Sequence, residues 1–259
     1  MILDDIAEYT RQRVAKLKNK KSLYAVRDEA EGRPEGKNFK AALAQDGLSV
    51  IAELKKASPS KGVIAPDFEK LYLQKASAYE AGGAAAISCL TEPKFFLGSD
   101  AYLKAVRQAV ELPILRKDFT VDEYQIYEAK NIGADAVLLI CSLLSEAQLQ
   151  EYLCQAHELG LSALVEAHDA DEVSAALGVG AEIIGVNNRN LKDFSVNPLN
   201  SLRLREAIPE DKIFVAESGI AKASDTAGLK AAGVQAVLIG EALMRTSDAA
   251  QFIKEIHDA

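Results

Sequence analysis

The stretch Gly133-Ala134-Asp135-Ala136-Val137 (GADAV) carries the pattern that decides the fold: a glycine, a small residue and the start of a short apolar run. The same pattern begins at Gly83, Gly180 and Gly233, so the four glycines are 50, 47 and 53 residues apart. A glycine at a helix C-terminus can take the left-handed conformation that ends the helix. An apolar run without polar alternation is typical of a strand buried on both faces. The pattern therefore predicts four places where a helix ends and a buried strand begins.

Three further apolar runs lie between these four, and one precedes them. They are Pro113-Ile114-Leu115, Ala163-Leu164-Val165, Ile213-Phe214-Val215-Ala216 and, in front, Ser49-Val50-Ile51-Ala52. Amphipathic stretches separate the runs, at 68–80, 101–110, 121–131, 145–159 and 223–232, and Ser99 or Asp100 is a candidate N-cap for the second. Eight strands that alternate with helices predict an α/β fold, a (β/α)8 TIM barrel. A doubly wound sheet would alternate too, but its Gly-x-Gly-x-x-Gly loop after the first strand is absent.

Residues 1–47 precede the first predicted strand and do not share the repeat. Leu3, Ile6, Tyr9 and Val14 have near-helical spacing, which predicts an added helix. We therefore expect 1–259 to form a single barrel domain with 1–47 as an N-terminal helical extension. The extension also holds a basic run, which we interpret as a solvated helix face. This run consists of Arg11, Arg13, Lys16, Lys18, Lys20 and Lys21.

Composition narrows the class of protein. The 259 residues are 49% hydrophobic, and the net charge of −8 argues against nucleic-acid or anionic-membrane partners. Cys89, Cys141 and Cys154 are an odd number without metal-type spacing, so we expect reduced, mostly buried thiols. No apolar run reaches the roughly 18 residues of a transmembrane helix, and the N-terminus has no signal-peptide pattern. We expect a cytoplasmic protein, and a monomer because the N-terminal helix can cover apolar surface within its own chain.

Ionisable and amide side chains follow six of the predicted strands, where barrel active sites lie. They are Glu53 and Lys55 after the first strand, Lys117 after the third, Glu166 after the fifth, Asn187 and Arg189 after the sixth, Glu217 after the seventh and Glu241 after the eighth. When such groups crowd into one pocket, their pKa values shift, as acid–base catalysis requires. Ser218-Gly219 and Gly240 fall where barrels bind phosphate through backbone N–H groups, and the Glu241 side chain can point away from that anion.

Seven segments of the sequence, in order, resemble the indole-3-glycerol-phosphate synthase family. They are 53–60 (ELKKASPS), 91–99 (TEPKFFLGS), 115–119 (LRKDF), 165–168 (VEAH), 185–191 (GVNNRNL), 216–220 (AESGI) and 239–241 (IGE). The resemblance covers essentially the whole chain, including the N-terminal extension.

This resemblance implies a reaction and a set of roles. The family closes a ring in 1-(2-carboxyphenylamino)-1-deoxyribulose 5-phosphate and removes carbon dioxide and water, without metal or cofactor. Lys117 matches its general acid, Glu166 its second acid–base residue, and Glu53 with Lys55 the pair that assists dehydration and holds the carboxylate. Asn187, Arg189 and Glu217 match groups that position the sugar and the anthranilate portion. The phosphate end matches Ser58, Ser218, Gly219, Gly240 and the Glu241 backbone, while Phe96 would wall the aromatic ring.

Two alternatives stay open at this point. A phosphoribosylanthranilate isomerase would use a cysteine and an aspartate at strand ends, whereas the first strand here ends in Glu53 and Lys55. A catalytically dead barrel that only binds a phosphorylated sugar would be marked by loss of Lys117, Glu166 or Glu53, and all three are present.

His168 follows Glu166 by two residues and could turn toward the mouth, but no family motif gives it a role, so we interpret it as structural.

Overall fold

The computed structural model describes residues 2–190 and 194–258, so Leu191, the last residue of one of the quoted segments, lies outside the described residues. Eight parallel strands form a closed barrel in chain order, and the last pairs with the first. The barrel strands are β1 (Ser49–Leu54), β4 (Ala86–Leu90), β5 (Ile114–Lys117), β6 (Ala136–Ile140), β7 (Ser162–Ala167), β8 (Ile183–Asn187), β9 (Ile213–Glu217) and β10 (Ala236–Ile239), while β2 (Ala57–Ser58) and β3 (Gly62–Val63) form a short hairpin after β1. The predicted barrel is therefore confirmed.

Helices precede the barrel and connect its strands. Those before the barrel are α1 (Ile2–Lys20), α2 (Leu23–Glu31) and α3 (Phe39–Leu43). Those around it are α4 (Phe68–Ala81), α5 (Asp100–Ala109), α6 (Tyr124–Ile132), α7 (Glu146–Glu158), α8 (Ala170–Gly178), α9 (Asn200–Leu204), α10 (Ala227–Ala231), α11 (Glu241–Arg245) and α12 (Ala249–Asp258). None of the described helices is long and apolar enough to span a membrane.

The helix ends follow local chemistry. Gly83, Gly133, Gly180 and Gly233 all have positive φ, between 72° and 91°, as the repeat predicts. Ser99 is the N-cap of α5, because its hydroxyl accepts the Ala101 N–H at 3.1 Å.

One predicted helix is wrong in extent. The stretch 223–232 forms a short 3-10 turn at Ala223–Thr226 and then only the five residues of α10. The Asp225 carboxylate accepts the N–H groups of Ala221 and Lys222, which fixes a turn there. Asp and Thr have low helix propensity, and Gly228 lowers it further.

Alternation along the strands separates an outer core from the barrel interior. In β1, Val50, Ala52 and Leu54 pack in the cluster under the helices, while Ile51 belongs to the interior cluster. Glu53, two residues after Ile51, shares the interior face because strand side chains alternate. The same step of two leads from Leu115 to Lys117, from Leu164 to Glu166 and from Val215 to Glu217. Four interior apolar positions are thus each followed by a charged side chain at the C-terminal end of the barrel.

The basic run of α1 is only partly solvated. Arg11, Lys16, Lys20 and Lys21 are exposed, but Arg13 Nη2 lies 2.7 Å from Asp118 Oδ2. Lys18 Nζ also lies 2.7 Å from Asp122. The prediction of a solvated face is wrong for these two, because their partners are acids just after β5, about a hundred residues away in the chain. The N-terminal helix is thereby tied to the loop that follows Lys117.

The cysteine prediction also needs correction. Cys89 is fully buried in the outer core and Cys141 is partly buried, but Cys154 is exposed on α7. Cys154 sits beside the buried pair Tyr152 and Leu153, so a helix of period 3.6 turns it away from the apolar stripe.

Candidate active site

A cavity of about 960 Å³ opens at the C-terminal end of the barrel. All thirteen residues that the sequence predicts as site residues line it: Glu53, Lys55, Ser58, Phe96, Lys117, Glu166, Asn187, Arg189, Glu217, Ser218, Gly219, Gly240 and Glu241. The volume is at the upper end of the range for small-molecule sites. Its lining comes from the ends of most barrel strands and the loops after them.

Lys117 lies at the centre of this cavity between two carboxylates. Its Nζ is 2.9 Å from Glu166 Oε2 and 2.8 Å from Glu217 Oε2. A second pair stands at the C-terminal end of β1, where Nζ of Lys55, the residue after the strand, lies 2.6 Å from Glu53 Oε1. The three carboxyl side chains are at most 4% exposed, and that of Lys117 is 12% exposed. Two lysines and three glutamates thus share a nearly dry pocket.

Burial and neighbouring charges set the pKa values of this group. Burial alone would lower the pKa of Lys117, but Glu166 and Glu217 outweigh it and hold that pKa well above its usual range. Burial would likewise raise the pKa of Glu166, yet Lys117 and His168 hold it well below normal. For Glu217, burial is the dominant cause and raises the pKa to about 7, although Lys117 opposes it. The two carboxyls that share Lys117 therefore have separated pKa values, which suits distinct proton-transfer roles.

Two glycines leave room for these carboxylates. A Cβ on Gly240 would overlap Glu53 Oε1 and lie 2.7 Å from Lys55 Nζ. A Cβ on Gly185 would overlap Glu217 Oε1 and lie 3.1 Å from Leu164 Cδ1. Gly185 is not among the predicted site residues, and the only sequence signal for it was its place in the segment 185–191.

Ser218 and Gly219 form a turn that suits an anion. Their φ angles are 67° and 88°, a left-handed conformation that is unusual for serine. Residues held in such conformations cluster at ligand sites because the surrounding structure must enforce them. The Glu241 carboxylate points along α11 toward Arg245, one turn later, with its Oε1 3.0 Å from Arg245 Nε. The backbone at Gly240 and Glu241 is therefore not blocked by that side chain.

The opposite wall of the cavity is apolar. The Phe96 and Phe119 rings lie 5.8 Å apart between centroids, and Leu138 and Ile140 line the same cavity. The loop that carries Phe96 is held by the buried Glu92, whose carboxylate accepts three consecutive backbone N–H groups, those of residues 94, 95 and 96. An aromatic ring is thus presented on a fixed loop.

Polar contacts orient the Glu166 carboxylate from its other side. Asn187 Nδ2 donates to Glu166 Oε1 at 3.2 Å, and Arg189 N donates to Asn187 Oδ1 at 3.0 Å. His168 Nε2 lies 3.3 Å from the same Glu166 oxygen. The sequence interpretation of His168 as structural overlooks this contact, although the spacing of two from Glu166 on β7 was the signal for it.

The fold and the cavity together define a TIM-barrel protein with a small-molecule site at the C-terminal end of its strands. The indole-3-glycerol phosphate synthase family model matches residues 3–256. The chain belongs to the indole-3-glycerol phosphate synthase family, the carboxy-lyases of tryptophan biosynthesis.

Relatives agree with this family assignment, and a solved structure agrees with the fold. The chain is 55% identical to an indole-3-glycerol phosphate synthase of Ruminiclostridium cellulolyticum over 250 residues, which cover 96% of this chain and 95% of the relative. It is 52% identical to that of Endomicrobium trichonymphae over 260 residues and the full length of both. The 3-hexulose-6-phosphate synthase of Salmonella typhimurium superposes with a TM-score of 0.65 at 16% identity, over 82% of this chain and 97% of that one, and supports the fold alone.

Proposed function

We propose that this chain converts 1-(2-carboxyphenylamino)-1-deoxyribulose 5-phosphate into indole-3-glycerol phosphate, carbon dioxide and water, with Lys117 as the first proton donor. The observation that carries the proposal is the position of Lys117 between Glu166 and Glu217 in the cavity. The family assignment supports the reaction, and the contacts support the proposed roles.

Ring closure needs an acid. The aromatic carbon that bears the carboxylate attacks the ketone carbon, a carbon–carbon bond forms, and the ketone oxygen takes a proton from Lys117 Nζ. Because the carboxylates of Glu166 and Glu217 keep the pKa of Lys117 above its usual range, this amine is charged at neutral pH and can donate. The carboxylate then leaves as carbon dioxide, and the electron pair of the broken carbon–carbon bond returns to the ring.

Dehydration needs a base and an acid together. A proton leaves the carbon beside the ring nitrogen while the new hydroxyl departs as water. Glu166 is an anion that lies against Lys117, so it can take a proton while the lysine or the Glu53–Lys55 pair protonates the leaving hydroxyl. Which lysine serves at this step stays open in our proposal.

The remaining groups hold the two ends of the substrate. Ser58, Ser218, Gly219, Gly240 and the Glu241 backbone take the phosphate, while Asn187, Arg189 and Glu217 position the sugar and the anthranilate portion beside Phe96. Fixing both ends brings the reacting carbons together and can lower the barrier by several kcal/mol, roughly 7–11 in the best intramolecular cases.

The proposal extends to the state of the protein in the cell. We take it to be a cytoplasmic monomer, because Ile6, Ala7 and Val14 of α1 bury apolar surface within the same chain. Size-exclusion chromatography with light scattering tests this, and a mass near 27.9 kDa is the expected result.

The first experiment mixes the purified chain with the substrate, without added metal, and follows indole fluorescence together with carbon dioxide release. The chain has no Trp, so the protein background is low. Lys117→Ala should lower turnover by about two to four orders of magnitude, while Lys104→Ala, an exposed residue of α5, should not change it. Tight binding without product would instead favour the dead-barrel alternative, and the absence of both would contradict the assigned substrate.

A further inference from the structure

His168 stands between two carboxylates just behind the proposed acid–base pair. Its Nε2 lies 3.3 Å from Glu166 Oε1, and its Nδ1 lies 3.0 Å from Glu172 Oε2. The two glutamates reach the ring from different elements, because Glu166 ends β7 while Glu172 is in the first turn of α8. The imidazole is largely buried, with 16% of its side chain exposed.

Only one protonation state suits both contacts. A neutral imidazole donates at one ring nitrogen and presents a lone pair at the other, so one of the two carboxylates would face that lone pair. The imidazolium donates from Nδ1 to Glu172 and brings its positive charge to 3.3 Å from Glu166 Oε1, an ion-pair contact that is not itself a hydrogen bond. Burial by itself would lower the pKa of His168, but Glu166 and Glu172 outweigh it and raise the pKa to about 10.

The backbone of residue 168 is held in place as well. The His168 N–H donates to Glu172 Oε2 at 2.8 Å, and the His168 carbonyl accepts Asn200 Nδ2 at 3.0 Å. Glu172 is fixed in turn, since its own N–H donates to Asp169 Oδ1 at 3.0 Å. The backbone of residue 168 is therefore fixed, the Nδ1–Glu172 contact holds the ring, and His168 is not among the residues that line the cavity.

We propose that His168 is a positioning residue, an imidazolium that Glu172 holds against Glu166 so that Glu166 keeps its charge and directs its other oxygen to Lys117. This inference rests on the proposed acid–base role of Glu166. The row of charged side chains in contact then runs from Lys117 through Glu166 and His168 to Glu172.

The other titratable groups around the ring fit this assignment. Lys117 lies on the far oxygen of Glu166, and Asp169 precedes α8 as its N-cap. Cys141, after β6, donates its Sγ–H to the Glu172 carbonyl at 3.6 Å, and burial raises the pKa of its thiol to about 12, so it stays neutral. The acids nearest the ring thus stabilise the imidazolium, and the cysteine does not compete for its charge.

The charge state can be measured without activity. The chain has three histidines, and His157 and His257 are exposed. In nitrogen-15 NMR of the full chain, His168 should keep imidazolium shifts from about pH 5.5 to 8, the range in which an ordinary imidazole loses its proton. Glu172→Gln should bring the His168 titration down into or near that range. A wild-type His168 signal that changes from imidazolium to neutral imidazole shifts within this range would overturn the proposal.

The positioning role is measured by pH–rate profiles. In His168→Gln the Glu166 carboxylate keeps Lys117 beside it but loses the His168 cation, so the pKa of Glu166 rises. The acidic limb of the pH profile of kcat should therefore move to higher pH. We expect kcat to fall about tenfold, less than the 10²- to 10⁴-fold cost of removing a general base, with KM changed less than about twofold because His168 does not line the cavity. His157→Gln is the matched control and should behave as wild type.

Glu172→Gln provides the second arm, because Glu172 touches Glu166 only through His168. It should shift the acidic limb in the same direction by a smaller amount, and the double variant should shift it no further than His168→Gln alone. A His168→Gln enzyme that is merely less stable, with an unmoved acidic limb and unchanged kcat, would refute the positioning role. If wild-type His168 remains charged while the wild-type chain makes no product, the failure lies in the proposed function and not in this charge state.

Discussion

Gly240→Ala tests whether the Glu53–Lys55 pair depends on an empty space beside it. An added Cβ would overlap Glu53 Oε1 and lie 2.7 Å from Lys55 Nζ, whereas ordinary contacts begin at 3.4 Å. The lysine must therefore retreat by at least about 0.7 Å and the glutamate by more. The φ at Gly240 is −112°, so no left-handed strain adds to this overlap.

The displacement sets the size of the effect. Misplacing a reacting group by about 1 Å can cost on the order of 100-fold in rate, so we expect kcat at saturating substrate to fall by roughly that factor. Overpacking should also lower the free energy of unfolding by about 1–3 kcal/mol. Saturating substrate matters, since Gly240 is also proposed to bind phosphate and KM will change for that reason.

Gly228→Ala is the matched control for this experiment. Gly228 lies in α10, its φ is not in the left-handed region, and nothing lies within 4 Å of an added Cβ. That variant should keep wild-type kcat and gain slightly in thermal stability. A Gly240→Ala enzyme with kcat within about twofold of wild type would show that the pair is not rigidly held, and the reasoning from steric overlap would be refuted.

Two further predictions concern stability. Burial raises the pKa of Glu217 to about 7 from 4.5, so the folded protein holds a proton that the unfolded chain releases in this window, and stability from this group falls as pH rises through it. Glu217→Gln should therefore flatten the change in Tm between pH 5 and 8, whereas Glu210→Gln, at an exposed position, should not; an unchanged slope would contradict the raised pKa. Arg13→Ala removes an ionic hydrogen bond to Asp118, which is 1% exposed, and should lower the free energy of unfolding by about 1–3 kcal/mol in urea titrations. Arg11→Ala, at an exposed position on the same helix, should have no measurable effect, and equal effects of the two would refute the tie between α1 and the loop after β5.

Much of this architecture was predictable from the sequence because a parallel barrel obeys two simple rules. Strand side chains alternate, and the C-terminal ends of all strands meet at one mouth. Those rules alone bring Glu53, Lys117, Glu166 and Glu217 together from positions up to 164 residues apart. The division of the chain at residue 47 and the roles of the site residues stay predictions.

What the sequence could not predict depends on side-chain reach between elements. Lys117 could have paired with either carboxylate or with neither, and it contacts both. Arg13 and Lys18 resemble ordinary surface cations until the loop after β5 is folded against α1. His168 has no distinguishing neighbour in sequence except Glu166, because the second carboxylate comes from the following helix. Pairings of this kind are set by tertiary packing, which a residue pattern does not contain.

The contacts of Lys117 show how one side chain can be both fixed and reactive. An ammonium group has three donors in a tetrahedral arrangement. Among the described residues, Glu166 and Glu217 accept two of them, which sets the direction of the third relative to the cavity that Lys117 lines. The carboxylates that hold the lysine also keep it charged, so the contacts that leave one N–H for the proposed substrate ketone also keep a proton on the amine. Once that proton is transferred, two carboxylates face a neutral amine, and Glu217, with a pKa near 7, is the member of the pair that can relieve the repulsion by taking a proton. The unequal burial and pairing of Glu166 and Glu217 would therefore let the site give up a proton at one step and recover it at another without rearranging the barrel.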